Sequence, residues 1–398
     1  MHPSESIRGT ESRALSGKRI VLGVTGSIAA LEAFSLAREL IKHGAEVHAV
    51  MTPEAMKIVT PCALEFATGN PVIIDIGGQV EHVKFFGDFP DRADLLLIAP
   101  CTANTISKIA TGIDDTPVTT MATVALGTGV PIVIAPAMHI TMYNHPIIQK
   151  NIRTLKELGV EFIGPQIEGK KARIASITEI TECVIRKLGS GDYLGKRLLV
   201  IGGSSAEPID DMRIITNRGT GETAIQLATA AYERGAEVEL WMGRCSVVIP
   251  EFLPVRRFET LGELIQMVED IHHDIVIVPA ALSDYTVDKR EGKIPSECEE
   301  LILKLKRTPK VLKLISEKNC MLIGYKAESG IDTEELVSRA RSRMIEFGLD
   351  AIVANDLRKV SPNHTEVAII TKQKVCIAAG SKREVAHRIL DIIKENIA

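Results

Sequence analysis

Long apolar runs are missing from this chain of 398 residues. The longest, LLLIA at 95–99 and IVIVPAAL at 275–282, have the length of β-strands. A helix that spans a membrane needs about 20 apolar residues. No stretch resembles a signal peptide either, because the chain is polar up to Lys18. We therefore expect neither a membrane association nor secretion.

Paired cysteines and blocks of like charge are missing as well. The seven cysteines are odd in number and widely spread, and no two form a CxxC pair. This pattern fits free thiols in a reducing cytoplasm better than disulfides or a zinc site, and we predict no metal ligands. The net charge is −4 with scattered Lys and Arg, which disfavours a nucleic-acid groove. The expected partners are small molecules.

What the sequence does contain is a repeated alternation of short β-rich runs and helical patterns. This alternation starts at Lys18 and starts again near Lys196, which indicates two α/β domains with doubly wound parallel sheets. Two β-rich runs at 366–380 indicate a hairpin added to the second sheet. The stretch KLGSGDYLGK at 187–196 is the best linker candidate. We predict a flexible arm over 1–17, one domain over 18–190 and another over 191–398.

Each half opens on a glycine turn between a strand and a helix. The first is GVTGSIAA at 23–30, and the second is GGSSAEP at 202–208, completed by NRGTGETA at 217–224. Backbone N–H groups at a helix N-terminus favour a phosphate, so the turns predict two phosphate-bearing ligands. The alternative is that the glycines serve the turns alone. Neither turn matches GxGxxG, which disfavours a Rossmann dehydrogenase.

Four segments of the first half stand at predicted strand ends and together resemble the flavoprotein family of cysteine decarboxylases. They are GVTGSIAA, EHVKFFGDFPDRAD at 81–94, APCTANTISKIATGIDDTPVTT at 99–120 and APAMHITMYNHP at 135–146. The resemblance implies a flavodoxin-like domain in which FMN oxidises a cysteine thiol, so that the electrons of the departing carboxylate have an acceptor. His82 matches the family's active-site base, a role that suits an imidazole.

The same resemblance implies further site residues and shows departures from the family pattern. Expected FMN contacts are Gly26, Ser27, Thr52, Thr102, Asn104 and Met138, although Met138 fits core packing equally well. Asp115 is the candidate for contact with the substrate carboxylate, and His139 replaces the usual asparagine. EGKKARIAS at 168–176 replaces the clamp that normally carries a cysteine acid; Lys170, Lys171 and Arg173 stand there instead, and we expect Cys183 to pack rather than react.

The second half resembles the phosphopantothenate–cysteine ligase family. The resemblance rests on AEPIDDMRIITNRGTGETA, PAALSDYTVDKREGKIPS, RTPKVL, IGYKAESG and IVANDL. It implies an acyl nucleotide formed from 4'-phosphopantothenate and a nucleoside triphosphate, expected to be CTP with Mg²⁺, followed by attack of the L-cysteine amine. Lys293 matches the cation that meets charge on the α-phosphate, and Asn217 matches the amide that handles the acyl intermediate. The expected ligand contacts are Gly219, Thr220, Gly221, Ala280, Ala281, Asp284, Lys293, Lys326 and Asn355.

The two resemblances in one chain predict a bifunctional enzyme of coenzyme A synthesis that makes phosphopantothenoylcysteine and then decarboxylates it to 4'-phosphopantetheine. They also imply a homo-oligomer. Two alternatives remain from the sequence. In one alternative, the first half is a regulatory flavin-binding module. In the other, the first half is a scaffold and the ligase alone is active. The replaced clamp favours these alternatives, and His82 favours catalysis.

Overall fold

A computed structural model describes residues 2–168, 171–295, 300–361 and 364–395. The chain divides into two compact units, Met1–Ser190 and Gly191–Ala398, called here the N-terminal and C-terminal units. Each has helices on both faces of a central sheet, the α/β class that the alternation predicts. Among the described residues, no helix is long and apolar enough to cross a membrane.

The N-terminal unit has a parallel sheet of five strands in the order β2-β1-β3-β4-β6, and a small antiparallel sheet in the order β5-β8-β7. Its strands are β1 Arg19–Val24, β2 Glu46–Met51, β3 Leu95–Cys101, β4 Ile132–Pro136, β5 Met138–His139, β6 Glu161–Phe162, β7 Gln166–Glu168 and β8 Lys171–Arg173. Its α-helices are α1 Pro3–Ile7, α2 Ala33–Lys42, α3 Pro61–Thr68, α4 Glu81–Phe86, α5 Ala103–Thr111, α6 Pro117–Thr128, α7 Ile140–Tyr143, α8 Pro146–Glu157 and α9 Ile177–Leu188.

The C-terminal unit is built on a sheet of eight strands in the order β13-β12-β9-β14-β17-β18-β19-β20. The strands of this unit are β9 Arg197–Gly202, β10 Ala206–Pro208, β11 Ile214–Thr216, β12 Glu237–Met242, β13 Val255–Arg257, β14 Ile275–Val278, β15 Tyr285–Thr286, β16 Lys306–Arg307, β17 Met321–Glu328, β18 Ala351–Asp356, β19 Thr365–Thr371 and β20 Val375–Gly380. Its α-helices are α10 Glu222–Glu233, α11 Leu261–Met267, α12 Val311–Ile315, α13 Thr333–Glu346 and α14 Lys382–Glu395. The predicted hairpin is confirmed, since β19 pairs antiparallel with both β18 and β20.

Helix ends follow from local residue choices, as α6 illustrates. Thr116 accepts the N–H of Thr119 and closes a capping box, and Pro117 occupies the first helical position, where its missing donor costs nothing. Gly129 ends the helix in the left-handed region at φ 71°. Both faces of each main sheet are covered by buried Val, Ile, Leu and Ala side chains, which make up the cores.

Two expectations about the chain's organisation need correction. The first residues are not a flexible arm, because α1 packs against α2 and α3, and Leu15 is fully buried in the core of the N-terminal unit. Only part of 187–196 connects the units. Tyr193 is buried in the C-terminal unit, and its hydroxyl donates to the Leu390 carbonyl at 2.6 Å, so the residues around it are held in place.

Candidate functional sites

In the N-terminal sheet the strand order reverses at β1, because β2 lies on one side of β1 and β3 lies on the other. Open α/β sheets bind ligands at the carboxyl ends of the strands beside such a switch point. Thr25 joins the two strand ends. Its hydroxyl donates to the Pro100 carbonyl at 2.9 Å and accepts the Thr102 N–H at 3.0 Å. Thr25 was not predicted as a site residue, because it is buried and the sequence gives no signal for it beyond its place in the glycine turn.

Gly26 lets two backbone segments approach closely at this edge. A Cβ at Gly26 would lie 2.5 Å from the Cβ of Glu54, which is too close for any side chain. Ser27 follows as the N-cap of a 3-10 turn over Ile28–Glu32, and its hydroxyl accepts the Ala29 N–H at 3.4 Å. Thr52 is buried after β2, and its hydroxyl accepts the Ala55 N–H at 3.3 Å.

The other predicted flavin contacts follow β3 and β4. Thr102 is the N-cap of α5 and accepts the Thr105 N–H at 3.3 Å, and Asn104 is exposed in the first turn. Met138 is half-buried in β5 and pairs with Ala172 of β8. These residues and those after β1 and β2 therefore stand at the same carboxyl edge of one sheet.

His82 is the second residue of α4, a short helix that packs against α6. Its Nδ1 atom is buried and has no hydrogen-bond partner in the described part of the chain. Two residues earlier, Val80 adopts φ 47° and ψ 48°, a left-handed conformation that is costly for a β-branched residue. Such strain recurs at functional sites, and an unpaired buried nitrogen marks a place for a ligand.

Two residues near the expected substrate carboxylate have partners of their own. Both carboxylate oxygens of Asp115 accept from Lys108 Nζ, at 2.9 and 2.7 Å. His139 is the N-cap of α7; its Nδ1 lies 2.8 Å from the Thr141 hydroxyl and accepts the Thr141 N–H at 3.3 Å. Asp115 is thus neutralised by Lys108, and the pair presents a balanced charge rather than a bare carboxylate.

The segment that replaces the expected clamp contains the end of β7 and all of β8, which pair antiparallel, and β8 also pairs with β5. Lys170 lies outside the described residues. Cys183 is buried on α9, and its thiol donates to Glu161 Oε1 at 3.2 Å. Burial raises the pKa of the Cys183 thiol well above its usual range, with Glu161 adding to the effect. This thiol is therefore a poor acid for a reaction at neutral pH.

In the C-terminal sheet the strand order reverses at β9, because β12 lies on one side of β9 and β14 lies on the other. Backbone hydrogen bonds connect the segments that follow these strands. The Ala280 N–H donates to the Ile201 carbonyl at 3.0 Å, and the Ala281 N–H donates to the Gly203 carbonyl at 2.8 Å. Asn217 is attached to the same place, because its side-chain amide donates to the Ala281 carbonyl at 2.9 Å. These bonds hold Asn217 at the carboxyl edge of the sheet.

A cavity of about 390 Å³ opens at this edge. That size is typical of a small-molecule site. Its wall brings together eight of the residues predicted to contact ligands in this half: Gly219, Thr220, Gly221, Ala280, Ala281, Asp284, Lys326 and Asn355. Asn217 adjoins the wall through Ala281, whereas Lys293 is an exposed residue of the 287–295 loop and does not line the cavity.

The cavity wall is rich in positive charge. Its basic side chains are Lys310, Lys326, Arg343 and Lys382, against the acidic Glu222 and Asp284. Lys310 pairs with Asp284, and Lys382 pairs with Glu222. Lys326 pairs at 3.0 Å with Glu328, so Arg343 supplies the remaining positive charge of the wall. The hydrogen bond from Lys310 lowers the pKa of the Asp284 carboxyl, although partial burial opposes this. The surplus of cations suits a polyanionic ligand.

Several cavity residues were not predicted. Arg343 comes from α13 and Lys382 from α14, and both elements reach the wall from parts of the chain without a recognisable motif. Tyr325 also lines the wall, and its hydroxyl is buried without a partner in the described residues. The Ser204 hydroxyl is buried and unpartnered in the same sense, beside Gly219. A search of the described residues finds no group of three or more His, Cys, Asp or Glu side chains placed to hold a metal.

The two units correspond to two known domain families. Residues 8–189 match the family described as "Flavoprotein", and residues 193–397 match the one described as "DNA/pantothenate metabolism flavoprotein C-terminal domain". The two matches thus define a flavoprotein domain joined to a pantothenate-metabolism domain.

Full-length relatives identify the family more closely. The chain is 47% identical over 404 residues to the "Coenzyme A biosynthesis bifunctional protein CoaBC" of Thermococcus kodakarensis, covering 99% of each chain. It is 41% identical to the protein of that name from Methanocaldococcus jannaschii, covering 99% of this chain and 98% of that one. A crystal structure of the DNA/pantothenate metabolism flavoprotein from Streptococcus pneumoniae aligns with a TM-score of 0.48 and 26% identity, covering 51% of this chain and all of that one.

The chain belongs to the CoaBC family of bifunctional coenzyme A biosynthesis proteins. It is a bifunctional enzyme with a decarboxylase domain in its N-terminal half and a ligase domain in its C-terminal half. The membership predicted from the two sets of motifs is thereby confirmed, and a Rossmann dehydrogenase is excluded.

Proposed function

We propose that the C-terminal unit joins L-cysteine to 4'-phosphopantothenate at the expense of CTP. In the first step a carboxylate oxygen of phosphopantothenate attacks the α-phosphorus, pyrophosphate leaves, and an acyl cytidylate forms. In the second step the cysteine amine displaces CMP, loses a proton and forms the amide. The observation that carries this proposal is the cation-rich cavity at the sheet's switch point, whose glycine loop leads into α10.

Each predicted residue has a task in this reaction. Gly219, Thr220 and Gly221 present the loop and helix N-terminus to the triphosphate, with Mg²⁺ arriving on the nucleotide. Lys293 meets the charge that develops on the α-phosphate. Asn217 orients the acyl group through its amide. The residues proposed to hold the nucleoside are Ala280, Ala281, Asp284, Lys326 and Asn355.

We propose further that the N-terminal unit binds FMN and decarboxylates phosphopantothenoylcysteine to 4'-phosphopantetheine and CO₂. The close approach at Gly26 and the donors around Thr25 and Ser27 suit a phosphate, and the unpaired Nδ1 of His82 suits a ligand beside α4. Bound FMN supplies a two-electron oxidant for the substrate thiol. His82 takes a proton from the substrate during that oxidation. Thr52, Thr102, Asn104 and Met138 hold the flavin, and Asp115 with Lys108 faces the substrate.

The alternative that the N-terminal unit is only a flavin-binding scaffold disagrees with the chain's membership of a family of bifunctional enzymes. The 168–176 segment contains no cysteine, and the buried, high-pKa Cys183 is a poor acid. His82 supports catalysis. We also propose a homo-oligomer, supported by the exposed apolar side chains of Ile28 and Leu31 next to the phosphate turn. We propose that it works in the cytoplasm, where its free cysteines stay reduced.

Ligation is tested by omitting cysteine. Purified protein with phosphopantothenate and CTP should release pyrophosphate once per site and hold an acyl cytidylate that mass spectrometry detects. ATP in place of CTP should give a much slower reaction, since Asp284 and its neighbours are proposed to read the base. Pyrophosphate release that requires cysteine would contradict the acyl-nucleotide route, and equal rates with ATP would contradict the choice of CTP.

A further inference from the structure

The turn between β10 and β11 contains a buried carboxylate whose bonds reach beyond the turn. Asp210 Oδ1 accepts the N–H groups of Met212 at 2.8 Å and Arg213 at 2.7 Å, as in many tight turns. Asp210 Oδ2 accepts the N–H of Ile294 at 3.0 Å and Arg213 Nη1 at 2.5 Å. The side chain of Asp210 is fully buried. One oxygen therefore shapes the turn, and the other holds a distant loop.

That loop is bonded to the turn on both sides of Lys293. On one side Asp211 accepts the Gly292 N–H at 3.1 Å and pairs with Lys289 at 2.7 Å. The Asp211 N–H donates to the Gly292 carbonyl at 3.3 Å. On the other side Ile294 is held by Asp210, and its carbonyl accepts Arg213 Nη1 at 3.2 Å. Gly292 and Ile294 are the immediate neighbours of Lys293, so its backbone position is fixed by these contacts.

Asp210 keeps its charge over a wide pH range. Burial opposes ionisation, but the N–H donors of Ile294, Met212 and Arg213, together with the Arg213 guanidinium, lower the pKa of the Asp210 carboxyl to about 2. A carboxylate that accepts several backbone N–H bonds commonly behaves in this way. The charge on which the contact with Ile294 depends is therefore present throughout the neutral range.

The turn also leads directly to the other proposed catalytic residue. Strand β11 runs from Ile214 to Thr216 and is followed by Asn217, whose amide is bonded to Ala281 of the cavity wall. The Thr216 hydroxyl donates to the Ser205 carbonyl at 2.8 Å, which fixes the strand just before Asn217. One short hairpin thus connects the loop of Lys293 to Asn217.

We propose that Asp210 is a positioning residue for the ligase reaction, which sets Lys293 at a fixed place relative to Asn217 and the nucleotide cavity. The proposal rests on the role proposed above for Lys293. Asp210 does not contact the reacting atoms. It acts by holding the two residues that do, and misplacement of a catalytic group by an ångström can lower a rate on the order of 100-fold.

The substitution Asp210→Asn separates this role from a merely structural one. The amide keeps one oxygen acceptor and turns the other into a donor. In either orientation of the amide, one pair of N–H groups loses its acceptor and faces an N–H instead. Asp288→Asn is the matched control, because Asp288 lies in the same loop, pairs only with Lys306 among the described residues and has a side chain that is 79% exposed.

The experiment is a double-mutant cycle on the full chain with Asp210→Asn and Lys293→Ala. We expect Asp210→Asn to lower the kcat of ligation 10- to 100-fold, to leave the CTP dissociation constant within about threefold, and to add less than twofold in the Lys293→Ala background. Decarboxylation of added phosphopantothenoylcysteine should stay within twofold in every variant. Asp288→Asn should ligate at the normal rate.

Two outcomes overturn the positioning role. One is an unchanged kcat in Asp210→Asn, and the other is a full additional loss in the Lys293→Ala background. Normal ligation by Lys293→Ala alone would instead overturn the proposed function of Lys293. If Asp210→Asn fails to bind CTP because it does not fold, Asp211→Ala serves in its place. Asp211 is 53% exposed, and among the described residues the loss of its side chain frees only Gly292 and Lys289. A kcat as high as the parent's in that variant also overturns the proposal.

Discussion

Four buried polar atoms of residues that adjoin the two sites have no hydrogen-bond partner among the described residues: His82 Nδ1, Ser204 Oγ, Tyr325 Oη and Arg343 Nε. An unpaired buried polar group costs about 1–3 kcal/mol. The chain tolerates this cost beside the strand ends where ligands are expected, and a bound ligand that supplies the missing partner offsets it. Ligand-induced stabilisation is therefore expected in both units.

His82 is the residue whose loss should separate the two activities. In His82→Asn the side chain cannot take up a proton, so decarboxylation of added phosphopantothenoylcysteine should fall about 10²- to 10⁴-fold, as for the loss of a general base. Ligation should stay within twofold. His145→Asn is the matched control, since His145 caps α8 with its Nδ1 and asparagine caps equally well. Loss of both activities in His82→Asn would contradict two independent sites.

Asp284 provides a pH dependence with a definite sign. Lys310 lowers the pKa of this carboxyl below the ordinary aspartate pKa of about 3.9. Asp284 therefore stays ionised as the pH falls to that value and loses its charge only at lower pH. In Lys310→Met the carboxyl should protonate at a higher pH. We expect the CTP dissociation constant, measured by calorimetry from pH 7 down to pH 4, to increase as the pH falls. In the variant this increase should begin at a higher pH than in the parent. Identical pH profiles would contradict the role of Asp284 in binding.

Among the elements, the turn after β1 requires Gly26 because another backbone segment lies close to it, and not because of its backbone dihedral angles. Gly26→Ala would place a Cβ 2.5 Å from that of Glu54 and push apart the two segments that surround the expected flavin phosphate. The purified variant should carry much less bound flavin, measured by visible absorbance, and should still ligate. Gly77→Ala is the control, because a Cβ there meets no atom within 4 Å. Full flavin content in Gly26→Ala would contradict the assigned turn.

The turn before α10 requires Gly221 both for its left-handed backbone conformation and for the close approach of a neighbouring segment. Gly221 has φ 84°, and an added Cβ would lie 2.8 Å from that of Cys245. Gly348 has φ 64° with nothing within 4 Å. Both Gly→Ala variants should lose about 1 kcal/mol of unfolding free energy from the left-handed backbone. Only Gly221→Ala should weaken CTP binding, by tenfold or more in calorimetry; equal binding in the two would contradict the phosphate loop.

Elements with strong periodicity could be predicted, and short ones could not. The added hairpin β19–β20 was predicted because both strands are β-rich runs of six or more residues. Helix α1 was missed because it has five residues, too few for a 3.6-residue pattern, and the isolated Leu15 gives no hint of its burial. The small sheet β5-β8-β7 was missed for the same reason, since its strands have two or three residues.

The sites show a similar division. Residues at or close to the carboxyl ends of strands, such as Ala280 after β14 and Asn355 near the end of β18, could be predicted because parallel strands end at one edge. Arg343 and Lys382 lie on helices that return to that edge from elsewhere in the chain, and their position depends on tertiary packing that the local sequence does not encode. The bonds of Asp210 to the Lys293 loop span more than 80 residues of sequence and depend on packing in the same way.

At the scale of the whole molecule, the chain combines two units with separate cores and separate sites. The product of the C-terminal unit is the proposed substrate of the N-terminal one. The residues proposed for each site belong to one unit, so we expect the full chain to carry out the two reactions in sequence from one set of substrates.

The most direct test follows the carboxyl carbon of cysteine through both steps. The full chain is incubated with 4'-phosphopantothenate, CTP, Mg²⁺ and L-cysteine labelled with ¹³C at the carboxyl group. We predict labelled CO₂ and unlabelled 4'-phosphopantetheine in equal amounts, with one pyrophosphate per turnover. Label that accumulates in phosphopantothenoylcysteine would contradict the decarboxylase, and the absence of any amide product would contradict the ligase.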